Sequence, residues 1–229
     1  MFPLNDTEPN RYSAMPIMTI LLIVINTVIL FAEPWTVAHG DYWTYYMKYA
    51  STPRLIIEMK GTGFLSSITS MFLHGGISHL LGNMLALWVF GRRVEDACGP
   101  LRFLAFYLTV GVAADIMSTI VQYNSPIPSI GASGAVFGVM GAYLLLYPAG
   151  RIRTLVFITF IPLWPRLRAF WVVFYFLGIQ LIPALEILYR KSDYNVNYWA
   201  HLGGFAASVL VFLFLRPQAY ARYLSDIAV

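Results

Sequence analysis

The sequence predicts an all-α membrane protein: one bundle of six transmembrane helices, both termini cytoplasmic, with a short fourth helix that starts inside the membrane. Three observations carry this. Hydrophobic residues make up 59% of the chain and charged residues 11%, against about 25% charged in a soluble domain. Six apolar stretches recur along the chain, parted by polar or basic segments. The basic residues fall unevenly on the two sides that six crossings define. The net charge of +4 sits in clusters between apolar runs. That is the pattern of membrane topology, and it gives no nucleic-acid-binding face.

In order, a polar N-terminal arm (1–14) carries Asp6 and Glu8, unlike the basic start of a cleaved signal peptide. The apolar stretches are 15–32; 77–90, continuing as helix to 98; 101–121; 132–147; 169–185; and 198–215. They form one domain over 15–215, followed by a short cytoplasmic tail, 216–229. With the N-terminus inside, the inner segments hold ten Lys and Arg residues, among them Arg92, Arg93, Arg151 and Arg153. The outer loops hold five, including Arg190 and Lys191, and three of these lie in the long first loop, where the charge rule is weak. That external loop, 33–74, contains Trp35, Tyr42, Trp43, Tyr45, Tyr46 and Tyr49. Such a density suits the headgroup layer, though an ordinary external loop remains open. The apolar run 154–164 is too short to span and is flanked by arginines and prolines, so it is expected to lie in the cytoplasmic interface. One cysteine, Cys98, excludes an internal disulfide.

The fourth stretch organises the rest. Gly131, Gly134, Gly138 and Gly141 recur at steps of three and four. On a helix they share one face, which lets a neighbouring backbone come close. From Ala132 to Leu146 the helix has fifteen residues and spans about 22 Å, short of a hydrocarbon core of about 30 Å. With its inner end held by Tyr147-Pro148 and Arg151, its outer end begins below the surface. Irregular backbone at that depth needs protein or a wet cavity around it. Ser133, on the first turn, is therefore expected at the floor of a water-accessible pocket. Taken alone, Ser133 reads more readily as a packing serine bonded to its own backbone.

Partners for Ser133 come from two other helices. His201 lies early in the sixth helix, at similar depth, and shares a face with Gly204 and Ser208. A hydrogen-bonded base is what a serine nucleophile needs. His79 and Asn83, at i and i+4 on the second helix, also fall in the outer half and can both donate to an oxyanion. Each polar residue alone is accounted for by interhelical hydrogen bonding of about 1 kcal/mol. Four of them at one depth on three helices point to a site. Either Asp115 or Glu186 is placed to orient a histidine as a third member, but a Ser-His dyad is the simpler reading. No H-E-x-x-H, G-x-S-x-G or G-x-G-x-x-G pattern occurs, so no metal, soluble-hydrolase elbow or nucleotide loop is expected.

Gly131-Ala-Ser133-Gly134 opening a helix, Ala200-His201-Leu-Gly-Gly204 in the last helix and His79-Leu-Leu-Gly-Asn83 in the second resemble the rhomboid intramembrane serine proteases. Phe72-Leu-His74-Gly-Gly-Ile-Ser-His79 and Gly91-Arg-Arg-Val-Glu95-Asp-Ala-Cys-Gly99 resemble that family too. The resemblance implies Ser133 as nucleophile and His201 as general base. It implies an oxyanion hole from Asn83, His79 and the Ser133 backbone N–H, with no cofactor. It implies single-span or other membrane-protein substrates, cut within the lipid bilayer near the outer end of a transmembrane segment. Phe137 stands where the family often has tyrosine; it can stack on His201 but brings no hydroxyl. Gly131, Gly134 and Gly204 are expected as packing residues. The rival readings are a catalytically silent binding protein of the same fold and a small transporter. Compactness suggests a multi-pass protein of a prokaryotic plasma membrane.

Overall fold

The computed structural model describes residues 1–13, 15–37, 42–190 and 196–225. The side chains of Trp35, Tyr42, Trp43, Arg190 and Lys191, and tail residues 226–229, lie outside what is described. The elements run β1 (Phe2–Asp6), α1 (Ile17–Val37), α2 (Tyr42–Tyr49), α3 (Pro53–Ile57), α4 (Ser66–Thr69), α5 (Ile77–Ala86), α6 (Arg92–Cys98), α7 (Pro100–Val121), α8 (Ser133–Leu146), β2 (Arg151–Ile158), β3 (Ile161–Leu163), β4 (Arg166–Arg168), α9 (Ala169–Arg190), α10 (Tyr198–Ala207) and α11 (Pro217–Leu224).

The six apolar stretches correspond to α1, α5 with α6, α7, α8, α9 and α10. A π-turn over Leu87–Gly91 joins α5 to α6, and α10 tightens into 3₁₀ turns over Ser208–Leu213. Among the described residues two helices, Pro100–Val121 and Ala169–Ile187, are long and apolar enough to cross a membrane unaided. Tyr198–Leu213 with Pro217–Leu224 would be a third, bent by 101°. Ile17–Ala32 and Ser133–Leu146 are shorter apolar helices. The chain is a helical membrane bundle. The long first loop is built of short helices, with Tyr46, Ala50 and Leu73 forming a small core of their own.

The all-α expectation needs one correction. A four-stranded antiparallel sheet forms around β2, with β1 on one side and β3 and β4 on the other. Phe2 pairs with Leu155 and Asp6 with Ile152, and Arg151 pairs with Arg168. The physical cause is the alternation Arg151-Ile-Arg-Thr154, which buries Ile152 and Thr154 and exposes both arginines. Beyond Thr154 the strand leads into a hairpin whose tip exposes Phe157, Ile158, Phe160 and Ile161. The polar arm of the sequence is thus an ordered strand.

That arm is held by the Gly91–Gly99 motif. Asp6 makes ion pairs with Arg92 and Arg93. Asp96 accepts from the backbone N–H groups of Arg11 (2.7 Å), Tyr12 (3.0 Å) and Ser13 (2.6 Å). Glu95, 1% exposed, accepts from the N–H of Met18 at 2.8 Å and of Thr19 at 2.7 Å. These are first-turn donors of α1 without a partner in their own helix, and a carboxylate at that end also meets the helix dipole. Gly99, at φ +87°, makes the sharp reversal into Pro100 at the start of α7.

At the centre stands α8. It is apolar all round, and every residue from Gly134 to Tyr143 is buried, as befits a core helix. Its glycines face neighbours at close range. A Cβ on Gly138 would lie 2.6 Å from Val110 Cγ2 of α7, and one on Gly141 would lie 2.5 Å from Ser208 Oγ. The glycine stripe is therefore a docking surface for α7 and for the α10 segment.

Candidate active site

Ser133 is the first residue of α8, following Gly131 at φ +120°. Two tethers fix this entry. Gly131 N–H donates to the Ser70 carbonyl (2.9 Å), and Ser129 exchanges backbone hydrogen bonds with Ser51 (2.7 and 3.0 Å). The start of α10 is fixed by Asn197. Its side chain caps the helix by accepting from Ala200 N–H (3.1 Å). Its amide also donates to Ser118 Oγ (2.6 Å) and Ser129 Oγ (3.0 Å), joining α10 to α7 and to the approach to α8.

These constraints bring Ser133 and His201 together. His201 Nε2 lies 2.8 Å from Ser133 Oγ. The imidazole is 7% exposed. Phe137, one turn along α8, stacks on it with centroids 4.6 Å apart and planes 12° from parallel. Its other nitrogen, Nδ1, lies 2.7 Å from Gln180 Oε1 of α9. Neither Asp115 nor Glu186 therefore occupies the place of a third member. Asp115 instead accepts from Ser51 Oγ and Ser67 Oγ, both at 2.5 Å, and ties the first loop to α7.

His79 and Asn83 converge beside Gly131. A Cβ there would sit 2.8 Å from His79 Nε2, which would have to shift, and the φ of +120° itself disfavours any side chain. Asn83 Nδ2 is 3.1 Å from His74 Nε2. One amide hydrogen is engaged there, and the second remains for another acceptor. Ser133, His201, His79, Asn83 and Gln180 all line one open groove of about 1240 Å³, walled by α5, α8, α9 and the segment between α7 and α8. Gly134 and Gly204 lie beneath it, where α8 meets α10. Among the described residues, no three His, Cys, Asp or Glu side chains converge as metal ligands would.

Sequence reading missed Gln180 and Asn197. Gln180 stands out only as a lone amide within an apolar helix, and Asn197 only as an N-cap type before the sixth stretch.

A short helix in a membrane bundle, with a serine on its first turn bonded to a buried imidazole, defines a class: a helical membrane protein with a serine–histidine pair in a groove. The Rhomboid domain matches residues 62–218, and the chain belongs to the rhomboid family. Rhomboid protease GluP of Bacillus subtilis is 50% identical over 82 residues, 36% of this chain and 15% of that protein. Rhomboid protein 1, mitochondrial, of Saccharomyces cerevisiae is 32% identical over 172 residues, 73% of this chain and 45% of that protein. Putative rhomboid protease YdcA of Bacillus subtilis is 29% identical over 161 residues, 68% of this chain and 69% of that protein. The chain spans less than half the length of the first two. Relatives from a bacterium and a mitochondrion give the expectation of a prokaryotic plasma membrane no support.

Proposed function

We propose that the protein is an intramembrane serine endopeptidase that cleaves transmembrane segments of membrane-protein substrates. The observation that carries this is the 2.8 Å contact between Ser133 Oγ and His201 Nε2. A serine hydroxyl attacks a carbonyl only as a neighbouring base removes its proton. In this reading Ser133 is that nucleophile and His201 the base. The oxyanion is held by Asn83, His79 and the Ser133 N–H, which at the first position of α8 has no partner within its own helix. His201 then protonates the leaving amine, and water hydrolyses the acyl-enzyme. The mechanism draws on no cofactor.

The groove supports a substrate of this kind. Both α5 and α9 line it, with apolar residues such as Phe176 and Ile179 in the same groove as the polar Ser133, His201, His79 and Asn83. A helical substrate entering there must unwind locally to present its bond. The chain crosses the bilayer six times, with both termini cytoplasmic. α8, at about 21 Å for its 14 residues, is the short crossing. Its deficit against a core of about 30 Å leaves room for the groove. The hairpin of β2 and β3 lies in the inner interface, its exposed aromatics in lipid and the arginines of β2 and β4 at the headgroups.

The alternative is a catalytically silent rhomboid-fold protein that binds membrane clients. A fluorophosphonate probe separates the two. The protease reading expects covalent labelling of Ser133, lost in Ser133→Ala. A purified, folded protein that takes no label supports the binder.

A further inference from the structure

Of the five groove-lining side chains Ser133, His201, His79, Asn83 and Gln180, Gln180 alone has no part in the proposed chemistry. It lies on α9, 9% exposed, with Oε1 2.7 Å from His201 Nδ1. A neutral imidazole carries one proton, on Nδ1 or on Nε2. To receive the Ser133 proton, Nε2 must be bare, so the proton must reside on Nδ1. A carbonyl oxygen at Nδ1 favours that tautomer, because the other would set two acceptors face to face.

We propose that Gln180 is a positioning residue for His201, whose side-chain carbonyl holds the Nδ1 proton and thereby keeps Nε2 free to accept from Ser133. The inference rests on the protease reading above. During acylation the proton passes from Ser133 Oγ to His201 Nε2 and then to the leaving amine. The Nδ1 proton stays on His201 throughout, and none passes to Gln180. The restraints on the ring are complementary. Phe137 sets its plane by stacking at 4.6 Å, and Gln180 sets its rotation within that plane. An aspartate in this place also lends charge to the imidazolium; a neutral amide lends only its dipole, the weaker form of the same device.

The placement also links catalysis to α9. This helix is joined to α10 by Gln180 and by the Trp199 indole, which donates to the Ala184 carbonyl at 3.1 Å. Gln180 is at once part of the groove wall and the partner of the base. Any displacement of α9 that withdraws its side chain releases the Nδ1 restraint.

The test compares Gln180→Met, which keeps the length and loses the acceptor, with Gln180→Glu, which keeps an acceptor. Both are purified in detergent beside the wild type and tested on one single-span substrate. The expected result for Gln180→Met is a kcat lower by about tenfold to a hundredfold, with KM within about twofold and an unchanged melting midpoint. Gln180→Glu restores kcat to within several-fold of wild type. Nitrogen-15 spectra, with the His201 signals assigned from His201→Ala, show Nδ1 protonated in the wild type and a mixture of tautomers in Gln180→Met. An unchanged kcat and tautomer in Gln180→Met overturn the proposal. So does equal loss of activity in both variants with a fallen midpoint and an unchanged tautomer, which makes Gln180 a packing residue. If wild-type Ser133 takes no fluorophosphonate, it is the protease reading that fails, a result distinct from either.

Discussion

Gly204 of α10 packs directly against the backbone of Gly134 in α8: a Cβ on Gly204 would lie 1.9 Å from the Gly134 carbonyl oxygen. No rotamer relieves such an overlap, because the opposing atom is main chain. The helices that carry Ser133 and His201 meet here, one residue past Ser133 and three past His201. Gly204→Ala must push α8 and α10 apart. Overpacking costs about 1–3 kcal/mol in ordinary cores, and about 3 kcal/mol is expected here. Thermal unfolding in detergent should show a fallen midpoint, and fluorophosphonate labelling of any folded protein should be slowed as His201 is drawn off Ser133.

The oxyanion assignment predicts a different signature. Asn83→Ala removes a donor and also the partner of His74 Nε2, so kcat should fall by about 10²–10³ with KM little changed, beside a modest drop in the melting midpoint. His79→Ala should act in the same direction. The double variant should lose less than the product of the two, because both serve one oxyanion. Steady-state cleavage of a single-span substrate checks all three.

Glu95 predicts a pure stability effect. Its carboxylate accepts from Met18 N–H, Thr19 N–H and the Thr19 hydroxyl, the last at 2.7 Å. Glu95→Ala leaves those donors buried and unpaired, at a cost of about 3 kcal/mol. The melting midpoint should drop. The kcat of the folded fraction at low temperature should match wild type, since Glu95 lies at the far end of α5–α6 from Asn83.

The hairpin predicts lipid contact. Phe160 at its tip is 91% exposed, and an aromatic left in water gains nothing from the exposure. In a Cys98→Ala background, an environment-sensitive fluorophore on Phe160→Cys should emit as in an apolar medium. It should also be quenched by lipids labelled high on the acyl chain. Water-like emission without quenching would put the tip in solvent.

How far the sequence carried depends on the range of the signal. The apolar stretches appear as α1 and α5 to α10 because length and hydropathy are local properties. The helix pairing between α8 and α10 was legible because Gly134, Gly138 and Gly141 on one side and Gly204 and Ser208 on the other declare close approach through size alone. Ser133, His201, His79 and Asn83 could be grouped by depth, which follows from position along a helix. Gln180 could not, since nothing local says which way α9 turns its one central amide. The strands were missed for a related reason. Arg151 to Thr154 alternates for four residues, and its partner strand β1 lies far back in the arm. The ordered arm likewise depends on Asp96 and Glu95 reaching backbone donors at the start of the chain, a pairing with no trace in spacing.

The most direct measurement is cleavage of a single-span substrate by the purified protein reconstituted in lipid vesicles, with the product masses determined. The account predicts one peptide bond cut within or beside the outer end of the substrate's transmembrane segment. It predicts no product from Ser133→Ala, and a rate at least about 10²-fold lower from His201→Ala. Cleavage by Ser133→Ala, or by His201→Ala at the wild-type rate, would contradict it.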